Sequence, residues 1–184
     1  MYNLHHTEGI ILSASDFGEA DRIYNIYTKD FGKISALAKG VRLEKSKLRH
    51  HLNPRSLIRL SFVEGKEFVR LIDAEEIMSL PAREDVFSSF AKSRALIDRI
   101  VRGQEKDSNL WYFLYGAFLY LCRAGYSTND FEPIFKARLM HRLGYVASDS
   151  EIIVANDWTY AQKQPTDLNQ LHKIYSDGLS ASQL

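Results

Sequence analysis

The apolar residues of this chain change their spacing near Leu80 and Pro81, and that change constrains the fold more than any other feature. Up to about residue 77 they tend to recur at every second position, as in KISALAK at 33–39. Beyond Pro81 they recur at intervals of three and four residues. A period of two is typical of strands with one buried face, whereas a period near 3.6 is typical of helices. The chain is therefore predicted to be α+β, with the strands first and the helices after them.

Five short strands are predicted before residue 80. The segments begin near residues 8, 23, 33, 57 and 67, and polar or glycine-containing stretches separate them. Five strands in about 70 residues favour a small five-stranded antiparallel barrel, for which the OB-fold is the leading candidate. An SH3-like barrel has the same periodicity, so the spacing alone leaves both barrels open. Residues 1–79 are assigned to this predicted barrel domain, with nucleic acid as its expected ligand for the reasons given below.

Residues 80–184 are predicted to form an α-helical domain. Three helical segments are expected, and the middle one is apolar nearly all round, which is typical of the buried centre of a bundle. The segments are residues 82–103, 108–125 and 128–144. Gly144 stands where a helix C-cap is expected. The last 40 residues or so show no clear period, and an irregular or frayed tail is predicted there.

The composition excludes several classes of protein. The 24 basic and 23 acidic residues among 184 nearly cancel, so net charge alone does not indicate a nucleic-acid binder. The single cysteine, Cys122, excludes an internal disulfide framework and a cysteine-based zinc cluster. No signal peptide is recognised, and the longest apolar run, residues 110–122, is shorter than the ~20 residues that span a bilayer. A cytoplasmic protein without membrane contact is expected.

Basic residues are concentrated around and after the predicted third strand. Residues 33–59 contain eight basic side chains and one acid, Glu44, and such a local surplus creates a positive surface on a near-neutral protein. On an OB barrel, cations beside aromatic rings fit single-stranded nucleic acid, because cations bind phosphates and bases stack on rings. A solvated lysine-rich loop and buried aromatic side chains are the structural alternatives. The nearest candidates for base stacking are Tyr24, Tyr27 and Phe31.

No catalytic residue, metal site or cofactor is predicted. The pairs His5-His6 and His50-His51 lack the recognisable spacing of a zinc site, and neighbours on a strand point to opposite faces. The segment DFG at 16–18 occurs without the other motifs of a protein kinase. The chain also has no nucleophile elbow, P-loop or dinucleotide fingerprint. A protein that is not an enzyme is expected.

Several fixed Gly, Asp, Lys and Arg positions form one pattern in the first part of the chain. They are GEADRI at 18–23, GKISALAKG at 32–40, Arg42, KSKL at 45–48 and Pro54. This pattern closely resembles the N-terminal signature of the bacterial RecO family, the DNA repair and recombination mediators. FKARLMHRLGY at 135–145 resembles the helix that closes the helical domain of that family. The resemblance extends over residues 8–146.

The resemblance implies an N-terminal OB-fold, a helical domain, and binding of single- and double-stranded DNA. It also implies annealing of complementary strands coated by single-stranded-DNA-binding protein, and assistance, with RecR, in loading RecA. A nucleoid-associated location in the cytoplasm follows. The basic positions of the family carry over onto Lys33, Lys39, Arg42, Lys45 and Lys47. Arg49, on charge alone, and Arg22, within GEADRI, complete the predicted DNA-binding set.

The chain departs from the family after the LGY segment. Many relatives carry a four-cysteine zinc module there, whereas this chain reads VASDSEIIVANDW at 146–158. The resemblance is therefore to a short form that lacks the zinc module. Two other functions remain as alternatives: an RNA-binding OB module, and a protein-interaction scaffold in which the barrel is only structural.

Overall fold

Five strands and six helices make up the regular structure in the computed structural model, which describes residues 3–123, 128–155, 157–159 and 167–182. The strands are β1 (Leu4–Phe17), β2 (Asp21–Thr28), β3 (Gly32–Ala38), β4 (Ser56–Val63) and β5 (Val69–Ser79). The helices are α1 (Leu48–His51), α2 (Glu84–Ile100), α3 (Ser108–Cys122), α4 (Phe131–Arg142), α5 (Glu151–Val154) and α6 (Leu168–Ser182). The five predicted strands and the three predicted helices are confirmed.

The five strands close into a barrel of the OB type, with the order β1-β2-β3-β5-β4. Four of the neighbouring pairs are antiparallel, and the pair of β3 with β5 is parallel. The sheet is therefore mixed, which corrects the prediction of a purely antiparallel barrel. The reason is one of parity, because a closed ring with an odd number of strands cannot alternate direction at every step. The predicted OB-like barrel followed by helices is otherwise confirmed.

The barrel core is formed by the inward-facing side chains of all five strands. In β3 the alternation is regular, with Ile34, Ala36 and Ala38 buried and the residues between them partly exposed. Alternating burial of this kind is the consequence of the two-residue period of a strand. The loop after β3 and the residue that follows α1 contribute to the same core through Val41 and Leu52.

A segment after α2 passes close to the beginning of β3. Gly32 has a φ angle of +62°, and a Cβ atom there would lie 2.2 Å from the carbonyl oxygen of Glu105. Only glycine meets both requirements, since other residues disfavour this conformation and any side chain would collide with the Glu105 main chain. The glycine of the GKISALAKG motif thus permits residues 101–107 to cover this end of the strand.

The chain divides into two compact units. The first contains Met1–Leu80 and Arg94–Trp111, and the second contains Pro81–Ser93 and Tyr112–Leu184. Both α2 and α3 contribute residues to each unit. The C-terminal half of α2 thus belongs with the barrel, although its sequence period is helical. None of the helices in the described residues is long and apolar enough to span a bilayer.

In the second unit, α4 ends at a glycine. At the end of α4, Gly144 has a φ angle of +78°, and the Gly144 and Tyr145 amides donate to the carbonyls of His141 and Met140. This is the glycine C-cap that the sequence predicts.

Where an irregular tail was predicted, residues 168–182 instead form α6, which packs against α4 at Gly178. The tail prediction was wrong because the sequence analysis overlooked the helical spacing of Leu168, Leu171, Tyr175 and Leu179.

Arg138 is fully buried in the second unit and organises the segment after α4. Its Nε donates to the carbonyl of Ile152 at 2.6 Å, and Nη2 donates to the carbonyl of Asp157 at 3.3 Å. The guanidinium also lies 4.9 Å from the ring centroid of Trp158. Burial and the nearby charge of Arg142 together lower the pKa of Arg138 to about 10. A buried cation thus holds Ile152 and Asp157 through their carbonyl oxygens. Both residues belong to the segment 146–158, where the resemblance predicts a zinc module in many relatives.

Candidate nucleic-acid interface

The outer side of β3 carries the first of the predicted DNA-binding cations. Lys33, Ser35 and Leu37 alternate with the buried residues and lie on the outer face, and Lys39 follows directly after the strand. Lys33 is partly covered, whereas Lys39 is exposed. The two lysines therefore differ in their exposure to solvent, although the sequence places them in one basic stripe.

Lys33 is bound to residues at the C-terminal end of α2. Its Nζ lies 2.8 Å from Oδ1 of Asp98, donates to the carbonyl of Val101 at 3.1 Å, and also donates to the carbonyl of Asp98. The side chains of Lys33 and Asp98 are only 17% and 20% exposed. A cation at this position also compensates the negative end of the helix dipole. Lys33 therefore serves to hold α2 against the barrel and is not available to a phosphate in this structure.

Asp98 is the centre of a small polar network on the barrel wall. Nδ2 of Asn25 donates to Oδ2 of Asp98 at 3.4 Å and to Oγ of Ser13 at 3.0 Å, and Ser35 donates to Oδ1 of Asn25 at 2.8 Å. Burial by itself would raise the pKa of Asp98. The hydrogen bonds and the charge of Lys33 outweigh it, so the pKa is lowered and the carboxylate stays ionised.

The loop after β3, residues 39–49, is here called the basic loop. Val41 is buried within it and Leu52 is buried just beyond it, so the barrel core holds the loop on both sides. Between these anchors, the Leu43 amide donates to the carbonyl of Gly40 at 3.1 Å, and the Ser46 amide donates to the carbonyl of Leu43 at 3.0 Å. The loop is therefore a folded turn structure whose side chains have defined positions.

Four cations of the basic loop are free. Lys39, Lys45, Lys47 and Arg49 are all exposed. Across the described part of the chain, none of the four forms an ion pair or a side-chain hydrogen bond. The one acid of the loop, Glu44, leaves them in clear excess. Exposed cations without internal partners are what a polyphosphate backbone requires.

Arg22 and Arg42 form a cluster with Asp16 beside the basic loop. Arg22 Nη2 lies 2.7 Å from Oδ1 of Asp16, and Arg42 Nη2 lies 3.4 Å from Oδ2 of the same carboxylate. The hydrogen bond from Arg22, together with the charges of both arginines, lowers the pKa of Asp16. Arg42 Nη1 also donates to the carbonyl of Gly18 at 3.1 Å. Two cations share one anion here, so the cluster keeps a positive charge and joins the basic loop to the β1–β2 turn.

The tyrosines predicted to stack on bases are inside the protein. Tyr24 is 3% exposed and belongs to the barrel core, and Tyr27 is 1% exposed. The hydroxyl of Tyr27 donates to the carbonyl of Asp107 at 3.4 Å, and burial raises its pKa. Tyr24 follows the inward alternation of β2, and Tyr27 lies where residues 101–107 cover the barrel. Neither ring offers a face to a nucleic-acid base.

A different pair of aromatic rings reaches the surface. The predicted Phe31 packs edge-on against His5 and Phe62, each at a ring-centroid distance of 5.1 Å. Phe17, by contrast, is exposed, and its ring lies 6.1 Å from that of Phe68 in an edge-to-face arrangement. The sequence analysis missed both residues. Their positions beside the hairpin ends, next to Gly18 and three residues after Gly65, are the signal that could have indicated exposure.

Metal-binding chemistry has no support in the described residues, where no group of three or more His, Cys, Asp or Glu side chains could hold an ion. His5 lies 3.6 Å from Glu64, and His6 is hydrogen-bonded to Ser61 at 2.8 Å. Burial raises the pKa of the single cysteine, Cys122, to about 11. Its thiol is therefore protonated at neutral pH.

The barrel matches a known family model, Recombination protein O N terminal, over residues 1–80. The chain belongs to the RecO family. The DNA repair protein RecO of Heliobacterium modesticaldum is 32% identical over 145 residues, which cover 77% of this chain and 52% of that protein. The RecO protein of Caldanaerobacter subterraneus is 25% identical over 143 residues, or 76% of this chain and 58% of the relative. The resemblance that the motifs indicated is thereby confirmed.

The residues that the family model matches include the basic loop but not every partner of the basic residues. The basic loop and the Asp16 cluster lie inside the matched residues 1–80, whereas Asp98, the partner of Lys33, lies outside them. The aligned region covers about half the length of the RecO relatives with which this chain is aligned over most of its own length. The part shared with the family model is thus the barrel with its basic loop.

Proposed function

We propose that this RecO-family chain binds the backbone of single- and double-stranded DNA through the basic loop. The observation that carries the proposal is a group of four exposed cations on the barrel that have no partner among the described residues, Lys39, Lys45, Lys47 and Arg49. Arg22 and Arg42 extend this surface toward the β1–β2 turn. Contacts to phosphate position a protein on DNA without reading its sequence, so the binding is expected to be independent of base sequence.

The DNA repair function of the named relatives extends this proposal to strand annealing. A strand whose phosphates are partly neutralised by the basic loop repels its complement less, which favours pairing. In this view the protein is a DNA repair and homologous recombination mediator. It anneals complementary strands, including those coated by single-stranded-DNA-binding protein, and with RecR it assists the loading of RecA. No bond is broken in this role, and it takes place in the cytoplasm on the nucleoid.

A strand-annealing assay tests the proposal directly. Two complementary oligonucleotides are mixed with the full chain, once naked and once coated by single-stranded-DNA-binding protein, and duplex formation is followed by fluorescence energy transfer. Acceleration is expected on both substrates. No acceleration on naked strands at low salt would contradict the proposal. Acceleration on naked strands alone would limit the function to DNA binding and annealing.

The salt dependence of binding tests the electrostatic mechanism. Four to six phosphate contacts predict a slope of roughly −3 to −4 when the logarithm of the affinity for single strands is plotted against the logarithm of salt concentration. A flat response would contradict phosphate binding. Competition with an RNA oligomer of the same sequence serves as the control for RNA recognition, because a specific RNA reader contacts the 2′-hydroxyl and would prefer RNA.

A further inference from the structure

Phe17 is exposed at the last position of β1. Its side chain is 46% exposed, whereas the other described aromatic side chains before α2 are buried or partly buried. A phenylalanine exposed to this extent gives up about half of the stabilisation that full burial of its ring would provide. Among the described aromatic rings, the one in contact with Phe17 is Phe68, whose ring is 6.1 Å away at an interplanar angle of 69°.

The two rings come from different turns of the barrel. Phe17 ends β1 and begins the β1–β2 turn, and Phe68 precedes β5 at the end of the β4–β5 connection. In OB-folds these two connections border the ligand groove. In an edge-to-face contact, one ring presents only its edge to the other, so its own faces are not used by the pair. A phenyl ring has two faces, so the contact with Phe68 leaves at least one face of the half-exposed Phe17 ring unused by the pair.

The turn that carries Phe17 is joined to the basic loop by three hydrogen bonds. Arg42 Nη1 donates to the carbonyl of Gly18, the Arg42 amide donates to the carbonyl of Ala20 at 3.0 Å, and the Gly40 amide donates to Oδ1 of Asp21 at 2.7 Å. The cationic surface and the aromatic pair are therefore held in a fixed relation. Phe17 directly precedes Gly18, whose carbonyl accepts from Arg42, so the aromatic pair adjoins the residues that border the basic loop.

We propose that Phe17 and Phe68 form a stacking platform for an unpaired base of DNA held on the basic loop. This inference rests on the proposed function and deepens it. Every base has a flat π-face, so stacking on a ring does not depend on sequence. The bases of a duplex are already stacked on each other and are not accessible. The platform thus gives the protein a preference for single strands that phosphate contacts alone would not supply.

Substitution of Phe17 tests the platform, because the residue is exposed and the fold does not depend on its burial. Affinities of the full chain are measured by fluorescence anisotropy for three probes of equal length. The probes are a single-stranded oligothymidine, an abasic deoxyribose-phosphate oligomer and a duplex. Phe17→Ala is expected to weaken binding of the oligothymidine by roughly tenfold. Binding of the abasic oligomer and the duplex is expected to remain unchanged.

Two further variants separate stacking from loss of apolar surface. Phe17→Trp keeps a flat ring and is expected to retain the affinity for oligothymidine. Ile77→Ala removes an apolar side chain that is 37% exposed on β5 and is expected to have no effect on any probe. An equal loss with Ile77→Ala, or no retention with Phe17→Trp, would overturn the inference.

The outcomes also distinguish the platform from the DNA-binding proposal itself. If the unmodified chain binds none of the three probes, the proposed function fails and the platform fails with it. If the chain binds all three and Phe17→Ala binds oligothymidine equally well, only the platform is overturned. An equal loss on the abasic oligomer would likewise overturn it, because that probe has phosphates and no bases.

Discussion

Lys33 lies in β3 and Lys39 directly follows the strand, and their ammonium groups have opposite surroundings. Lys33 is largely covered and is bound to the Asp98 carboxylate and to the main-chain carbonyls of Asp98 and Val101 at the end of α2. Lys39 is exposed and has no side-chain partner within the described residues. The first lysine stabilises the fold, and the second is available to a ligand.

Other basic residues between positions 33 and 59 also differ in whether they have an acidic partner. Arg42 and Arg59 have acidic partners, Asp16 and Glu75, whereas the lysines of the basic loop have none in the described chain. A positive run in a sequence thus combines cations that the fold uses with cations that it leaves free. Only the free ones can neutralise phosphate without first losing an internal partner.

The largest effect is expected from reversing the charge of the free lysines. The triple variant Lys39→Glu, Lys45→Glu and Lys47→Glu should weaken binding of single- and double-stranded DNA by at least ~100-fold near 50 mM salt, because each reversal replaces an attraction to phosphate by a repulsion. The melting temperature should stay close to that of the parent, since these exposed side chains form no ion pair or hydrogen bond in the part of the chain that the structure describes. Fluorescence anisotropy and thermal unfolding measure the two quantities.

A matched control separates position from net charge. Lys29→Glu, Arg102→Glu and Lys173→Glu change the net charge equally at exposed positions outside the basic loop and outside the β4–β5 connection. Only a modest loss of affinity is expected. Equal losses in the two triple variants would contradict a specific role for the basic loop.

The second largest effect is expected on stability, from Lys33→Met. Removing one partner of a buried ion pair leaves the other charge uncompensated, which costs ~3–5 kcal/mol for a fully buried pair. Because Lys33 and Asp98 are 17% and 20% exposed, we expect a loss of about 2 kcal/mol in the free energy of unfolding, measured with urea. DNA affinity of the folded variant should be unchanged.

Lys39→Met is the matched control for Lys33→Met, since it removes the same ammonium group from an exposed site. Its unfolding free energy should lie within ~0.5 kcal/mol of the parent. A stable Lys33→Met variant with weakened DNA binding would place Lys33 at the interface and remove the distinction between the two lysines.

A smaller effect is expected on the pH dependence of stability. Because the folded protein lowers the pKa of Asp98, its ionised form adds stability that is fully present above the unfolded pKa of ~3.9. That stability is lost as the pH falls through the folded pKa. The difference in unfolding free energy between the parent and Asp98→Asn should therefore be constant near neutrality and narrow below about pH 4. A difference that widens on acidification would contradict this assignment.

The smallest expected effect is that of a single free lysine on the salt dependence. Lys39→Ala should weaken binding of single strands about threefold and make the log–log slope less steep by about 0.7, as expected for one lost phosphate contact. Lys33→Ala should leave the slope unchanged. An identical change of slope in both variants would mean that Lys33 also reaches phosphate when DNA binds.

The local structure was largely predictable from the sequence. The alternation in β3, the three helices and the glycine cap at Gly144 depend on neighbours within a few residues, and the spacing of apolar residues records such neighbours directly. The local signal that was overlooked is that of α6, where Leu168, Leu171 and Tyr175 recur at helical spacing. Its face toward α4 contains Gly178, where a side chain would collide with Met140, so close packing replaced an apolar side chain.

The pairing and exposure of residues were not predictable in the same way. The parallel contact of β3 with β5 joins Leu37 to Arg70, and it follows from closure of the whole ring. The burial of Tyr27 depends on a main-chain segment near residue 107. The exposure of Phe17 likewise depends on which elements fail to cover it. In each case the deciding contact lies far away along the chain.

The sequence by itself determined the order of elements, the family motifs and the composition of the basic loop. The tertiary structure alone decided which cations are free, because the carboxylate that binds Lys33 comes from α2, 65 residues further along the chain. It also decided that Phe17 and Phe68, from separate turns, stand side by side. The physical reason is that ion pairing and burial depend on distances in space, which a linear pattern of charges and rings does not contain.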